Sequence, residues 1–308
     1  MPDASRPIQY VDGETGDLCE EAVYGGAWIR WMYGTRLGRL ISTLAALPPF
    51  SRIYGWLQDR PSSAKKIAPF IEQFDIRMAD FLPEDGASAD APYSSFNAFF
   101  TRSVAPGARP FVEEDAFPAP CDARYFGYAA LNDDVAIPVK GSCFKASALL
   151  GNGEWAGAFE GGPAFIARLC PVDYHRFHFP DDGEILASWR IPGVLHSVNP
   201  WALAERDDIF MINEREVSIL ETARFGRLAY VEVGATCVGR IVQTHEGKTF
   251  RRGDEKGMFL FGGSTVIVIG QPGRWQVDPE IEERTHLGVE TYLKMGSRLG
   301  AAHVSEPD

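Results

Sequence analysis

The sequence predicts an α+β chain: a helical N-terminal subdomain over residues 1–85, then a β-rich, mainly antiparallel domain over 86–308. Three observations carry that division. Between residues 22 and 58, apolar residues recur three and four apart, which is helical spacing. Residues 82–95 (LPEDGASADAPYSS) mix Pro, Gly, Ser and Asp without periodicity and mark a boundary. Beyond it, residues 216–222, 227–233, 236–243 and 258–269 are rich in β-branched and aromatic residues, with turn formers between them.

The first helix carries Ile29, Tyr33, Leu37, Leu40, Leu44 and Leu47 on one face, and Pro48-Pro49 is expected to end it. A second helical stretch is expected over 62–74, with Ser62-Ser63 as capping residues. Gly234-Ala235 is expected to join two strands by a tight connection.

The chain has 308 residues and a formal net charge of −12. That balance excludes nucleic acid as a general partner, because phosphate binding needs a basic face. The average hides one exception. From Ala22 to Gln58 there are four arginines (30, 36, 39 and 52) and no acid, so this stretch is positive within an acidic chain. It also holds Trp28, Trp31 and Trp56, three of the seven tryptophans. Two readings stand side by side: helices packed on the core, or a basic, Trp-bearing helix lying on an anionic membrane. No apolar run approaches the ~20 residues that a transmembrane helix needs. The N-terminal residues lack the basic and apolar regions of a signal peptide, and five cysteines without C-x-x-C fit a reduced compartment.

Three features offer chemistry. His175 and His178 lie in Asp173-Tyr174-His175-Arg176-Phe177-His178, followed by a turn signal. In an extended segment residues i and i+3 face opposite ways, so a metal site is not expected, and half-buried polar contacts are the plain alternative. Gly262-Gly263-Ser264 interrupts a continuous strand pattern. It reads as a bulge, or as an opening that lets another group reach the Gly263–Ser264 peptide bond. Serine becomes a nucleophile only when a base activates it. Asp122, after Pro120-Cys121, reads as a turn former or as the group that orients a histidine.

Taken in order, these features resemble the phosphatidylserine decarboxylase family. Residues 96–102 (FNAFFTR) and 106–110 (PGARP) resemble its F-N-x-F-F-T-R and P-G-x-R-P signatures. Cys121-Asp122-Ala123 stands where the family usually has A-D-G or G-D-G. Lys140-Gly141 through Gly151, residues 173–178 (DYHRFH), 196–200 (HSVNP), 213–215 (NER), 233–239 (VGATCVG) and 253–265 (GDEKG…FGGST) continue the match in sequence order. The Gly-Gly-Ser-Thr form and the arginine-bearing N-terminal helix resemble the clostridial-type branch.

The resemblance implies a proenzyme that cuts itself between Gly263 and Ser264 and converts Ser264 into a covalent pyruvoyl group. It assigns the cut to Ser264, His178 and Asp122, with Asp122 orienting His178 and His178 taking the Ser264 proton. A glycine at 263 leaves its carbonyl open to attack. The chains 1–263 and 264–308 are expected to stay associated, since the shorter is too small for a core of its own. His175 is the candidate acid that returns a proton to the substrate carbon, with an ordinary histidine pKa of ~6.5 suiting the task, and His178 is its rival. The implied reaction converts phosphatidylserine to phosphatidylethanolamine. The expected site is the cytoplasmic face of a bacterial cell membrane, with the protein bound peripherally and a homodimer expected from the family. A pyruvoyl-dependent decarboxylase of free aromatic amino acids and an uncleaved lipid-binding homologue are the alternatives.

Overall fold

The computed structural model describes residues 7–88, 90–131, 145–206, 208–236, 240–262 and 264–303. Gly263, Lys140, Gly141, Cys143, Cys237, Val238 and Gly239 lie outside the described residues.

The expected first helix is two helices, α1 (Gly26–Gly34) and α2 (Arg36–Ala45), and a third, α3 (Pro48–Gln58), begins where it was expected to end. Thr35 makes the first break. It is extended, and its side chain accepts a hydrogen bond from the Gly38 N–H as the N-cap of α2. A Cβ on Gly38 would run into the Trp31 carbonyl, so glycine is what lets α2 fold back against α1. Pro48-Pro49 opens α3 rather than ending a helix, because the first helical turn needs no N–H from its own residues. A 3-10 turn, Pro61–Lys66, leads into α4 (Ile67–Phe74), close to the expected second stretch. The short helix α5 (Phe96–Phe100) follows, capped by Ser95.

Of the two readings left open, core packing does not hold for the α2 part of the apolar stripe. Helix α2 turns Gly38, Ser42 and Ala45 inward, while Leu37, Leu40 and Leu44 face outward, Leu40 with 62% of its surface exposed. Among the described residues, nine of the twelve exposed large hydrophobics lie between Trp28 and Leu57. This concentration marks a single apolar surface, not scattered side chains.

The strands are β1 (Gln9–Asp12), β2 (Leu18–Glu20), β3 (Ala116–Pro118), β4 (Ala123–Tyr128), β5 (Ala164–Leu169), β6 (Arg176–His178), β7 (Gly183–Ile191) and β8 (Arg215–Thr222). They continue with β9 (Gly226–Val233), β10 (Ile241–Gln243), β11 (Thr249–Phe250), β12 (Glu255–Phe259), β13 (Ser264–Gly270), β14 (Trp275–Val277), β15 (Glu290–Leu293) and β16 (Arg298–Ala302). Ten form one sheet in the order β11-β7-β8-β9-β13-β5-β4-β15-β1-β2, antiparallel except for β1 beside β15. Two three-stranded sheets, β10-β12-β6 and β14-β16-β3, complete the β structure. Residues 9–20, expected among the helices, form the edge of the large sheet. The long expected strand over 258–269 divides into β12 and β13 around Gly262, and the strand expected over 236–243 is described only at β10. Gly234-Ala235 is not a hairpin connection, because β9 and β10 belong to different sheets.

One core cluster spans the large sheet. A second gathers Ile67, Phe70, Tyr93, Phe96, Phe99, Phe100 and Phe261 where the helices meet the sheet. No helix among the described residues is long and apolar enough to cross a membrane.

Candidate active site

Strand β13 lies between β5 and β9, and Ser264 is its first residue, opposite Leu169. Its hydroxyl is buried and has no hydrogen-bond partner among the described residues. A buried hydroxyl left unbonded is costly, and such groups gather where chemistry is done. Two residues earlier, Gly262 has φ 139°, a conformation that side chains rarely adopt. Phe261 is held by α5: its ring meets those of Phe96 and Phe100 at 5.0 and 4.9 Å, and its N–H donates to Asn97 Oδ1 at 3.0 Å.

The same helix positions His175. Phe100 stacks on its ring at 3.8 Å, and Arg102 donates to the Val172 and Asp173 carbonyls just before it. His175 Nε2 donates to the Cys170 carbonyl at 2.9 Å, while Nδ1 is buried without a partner among the described residues. Burial, with the Arg102 charge nearby, pulls its pKa down to about 3. The ordinary pKa expected for this residue is therefore corrected: His175 is a neutral imidazole at pH 7. It converges with Ser264 on one end of β5, one against Leu169 and the other against Cys170.

His178 and Asp122 have other partners. His178 Nδ1 donates to the Gly253 carbonyl at 2.9 Å, and Nε2 accepts from the Tyr174 hydroxyl at 3.1 Å. Burial lowers its pKa. Asp122 accepts three hydrogen bonds from Arg109, Nε to Oδ1 at 2.9 Å and to Oδ2 at 3.1 Å and Nη2 to Oδ2 at 2.7 Å, and a fourth from the Met295 N–H. No Asp122–His178 hydrogen bond exists among the described residues, so the orienting contact implied by the resemblance is absent from this arrangement. Ala123, where the family usually has glycine, opens β4 opposite Leu293 as an ordinary strand residue. Cys121 is fully buried against Tyr125, and burial pushes its thiol pKa up, so it is a packing residue.

Of the matched segments, Ser197, Val198, Asn199, Ala235 and Thr236 line the cavity described below, while Asn213 and Arg215 brace the frame. Asn213 Nδ2 donates to the His196 and Gly234 carbonyls, and Arg215 donates to Leu149 and Ala148. These bonds give the matched segments a structural reason.

A cavity of about 400 Å3 opens beside Phe261 and Gly262. Its wall is largely apolar, with Tyr24 from the turn before α1, Trp28, Leu44 and Phe50 from the helices, and Leu169 and Phe261 from the site. Sequence reasoning missed a buried charged network that reaches the cavity through Arg168 and Glu21. Arg168 bonds Glu21 at 2.6 Å and Glu290 at 2.8 Å, while Arg124 bonds Asp173 at 2.7 Å. Although burial opposes it, the two arginines hold Glu21 at a pKa of about 2. Burial raises Asp173 to about 6 against the pull of Arg124. The only signal was weak: arginines inside two strand-like segments, whose register pairing no spacing rule reveals.

A family model described as phosphatidylserine decarboxylase matches residues 96–301. The chain is 40% identical over 299 residues to the phosphatidylserine decarboxylase proenzyme of Desulfitobacterium hafniense (strain Y51), covering 96% of this chain and 99% of the relative. Proteins with the same name from Clostridium perfringens (strain SM101 / Type A) and Chlamydia caviae are each 39% identical, over 95% and 96% of this chain and 99% and 98% of theirs. The fold and the serine-headed strand thus sit in an enzyme of the carboxy-lyase class. The chain belongs to the phosphatidylserine decarboxylase family.

Proposed function

We propose that this chain decarboxylates phosphatidylserine to phosphatidylethanolamine after cutting itself between Gly263 and Ser264. The observation that carries this reading is Ser264 at the head of β13, its buried hydroxyl without a hydrogen-bond partner among the described residues, paired across the sheet with Leu169, which lines a largely apolar cavity. In the cut, Ser264 Oγ attacks the Gly263 carbonyl, the peptide C–N bond breaks, and the Ser264 nitrogen takes a proton. Loss of the Ser264 Cα proton then breaks the Cβ–Oγ bond and frees the new C-terminal carboxylate at Gly263. One water replaces the nitrogen, which leaves as ammonia, and residue 264 ends as a pyruvoyl group. The orphaned serine at the strand head fits that group, which supplies an electron sink for the bond to the departing carboxylate.

The chain's own residues handle protons and binding. His178, neutral at pH 7, accepts the Ser264 proton at Nε2 once Tyr174 releases that nitrogen. Asp122 acts from its clasp with Arg109 as a fixed negative charge near the imidazole. His175 holds its proton on Nε2 and presents the Nδ1 lone pair. A substrate carboxylate beside Nδ1 offsets the burial, so that nitrogen can take up a proton and return it to carbon.

The helical region carries the lipid side, and the β-rich region carries the chemistry. Leu37, Leu40, Ile53 and Trp56 point outward, with Arg36, Arg39 and Arg52 exposed among them. Trp28, Leu44 and Phe50 belong both to this surface and to the cavity wall, so an acyl chain has an apolar path from bilayer to site. This supports peripheral binding to an anionic membrane on its cytoplasmic face.

Intact mass spectrometry tests the cut. Wild-type protein should give chains 1–263 and 264–308, and Ser264→Ala should stay whole. An unsplit wild type, or a split variant, sinks the reading. Product assays with phosphatidylserine vesicles, free serine and free tryptophan should show turnover of the lipid alone.

A further inference from the structure

We infer that Asn97 is a positioning residue for self-processing and that Asp59 at the end of α3 holds it in place; this rests on the cut between residues 263 and 264. The cut needs the attacking oxygen and its target carbonyl within a few tenths of an ångström of their working positions. After the break, Ser264 is fixed by strand pairing to β5, and the next residue also pairs with β9. Before it, the nearest described fixed point is Phe261. Its ring sits among Phe96, Phe100, Tyr54 and Tyr24, but rings in a cage can still slide along the chain direction. The bond that sets the register of the backbone is Phe261 N–H to Asn97 Oδ1, 3.0 Å.

The amide of Asn97 has a forced orientation. The Phe261 N–H can only donate and the Asp59 carboxylate can only accept, so Oδ1 faces Phe261 and Nδ2 faces Asp59, at 2.6 Å. Asn97 is buried, at 7% exposure. Alanine loses both bonds. Aspartate alone keeps the acceptor but sets two carboxylates against each other. Exchanging the two residues, Asn97→Asp together with Asp59→Asn, restores the pattern. The amide then donates from position 59, and the carboxylate at position 97 accepts from it and from the Phe261 N–H. The chain approaching the cut is thereby tied to α3, the helix that bears Ile53 and Trp56 on its outer face.

Cell-free synthesis followed by a denaturing gel time course reads the rate of splitting. Asn97→Ala should slow it by about 100-fold, the loss expected from a misplacement of about 1 Å. Asn97→Asp should also be slow, and adding Asp59→Asn should recover most of the wild-type rate. Thermal melts in the Ser264→Ala background compare folding without the cut. If Asn97→Ala splits at the wild-type rate, the assignment is overturned. If the exchanged pair is as slow as Asn97→Asp, the loss is one of general packing, and the assignment is again overturned. A wild-type chain that never splits removes the cut itself, an outcome distinct from either.

Discussion

Asp122 is held in two places by one guanidinium, and that guanidinium is itself buried. Removing Arg109 leaves a carboxylate without its partner in a dry site, at a cost of about 3–5 kcal/mol. Denaturant melts of Arg109→Ala in the Ser264→Ala background should show a loss of that size, and a change below about 1 kcal/mol would contradict the clasp. His175 adds a pH signature. Its folded pKa of about 3 lies below the ordinary value, so between those two limits the unfolded chain binds a proton that the folded chain does not. Stability therefore rises with pH across that window and is flat above ~6.5, with a slope of about 1.4 kcal/mol per unit from this group. Asp173, raised to about 6, works in the opposite direction, so the clean measurement is the difference between wild type and His175→Phe in urea melts from pH 4.5 to 7. Identical slopes would refute the burial of His175. His178 shares the depressed direction, and the rate of self-cleavage should fall with a midpoint below pH 6.5, read from time courses between pH 5 and 8. At this scale the sequence showed the right letters without their partners. Arg109 and Tyr174 both stood inside matched segments, but a motif does not say that Arg109 reaches Asp122 before any histidine does. The low pKa of His175 comes from burial and from the Arg102 charge, far away in the chain.

Helices α1–α3 show what periodicity can and cannot tell. Spacing of three and four residues marked helix correctly, yet the stripe Leu37-Leu40-Leu44 faces out and small residues face in. A hydrophobic stripe looks the same in sequence whether it packs on protein or meets lipid. Gly38 was the decisive residue, and its role depends on a carbonyl of the neighbouring helix. Proline has a similar ambiguity, since Pro48-Pro49 fits the start of a helix as well as its end. Replacing Leu40, Ile53 and Trp56 together with Gln should weaken sedimentation with anionic vesicles about tenfold or more, because each buries apolar surface only when lipid covers it. Melting in the absence of lipid should move by no more than about 0.5 kcal/mol per site, as for other surface changes. Unchanged vesicle binding would show that this surface is not the lipid contact.

The whole molecule is organised around a strand that the proposed cut leaves behind. Residues 264–303 supply β13, β14, β15 and β16, and β13 and β15 lie inside the ten-stranded sheet. The α+β class and the strands β8 and β9 were legible in the sequence, because their β-branched runs are unbroken, whereas the run over 258–269 hid the break at Gly262. Sheet order was not legible, since it follows from pairings such as Tyr10 with Glu290 that span the chain. Both pieces should co-elute in native gel filtration and separate only in denaturant, whereas a large piece that elutes alone in native buffer would contradict this arrangement.

The central place of β13 also sets a timetable. During synthesis its residues emerge late, after β5 and β9 are already made. Ser264 meets Leu169, and Thr265 meets Val233, only when the sheet closes around them. In the proposed reading, an unfinished or misfolded chain has no serine in place to cut with. A broken backbone would then record that folding was completed, and only molecules that pass this inspection would become active.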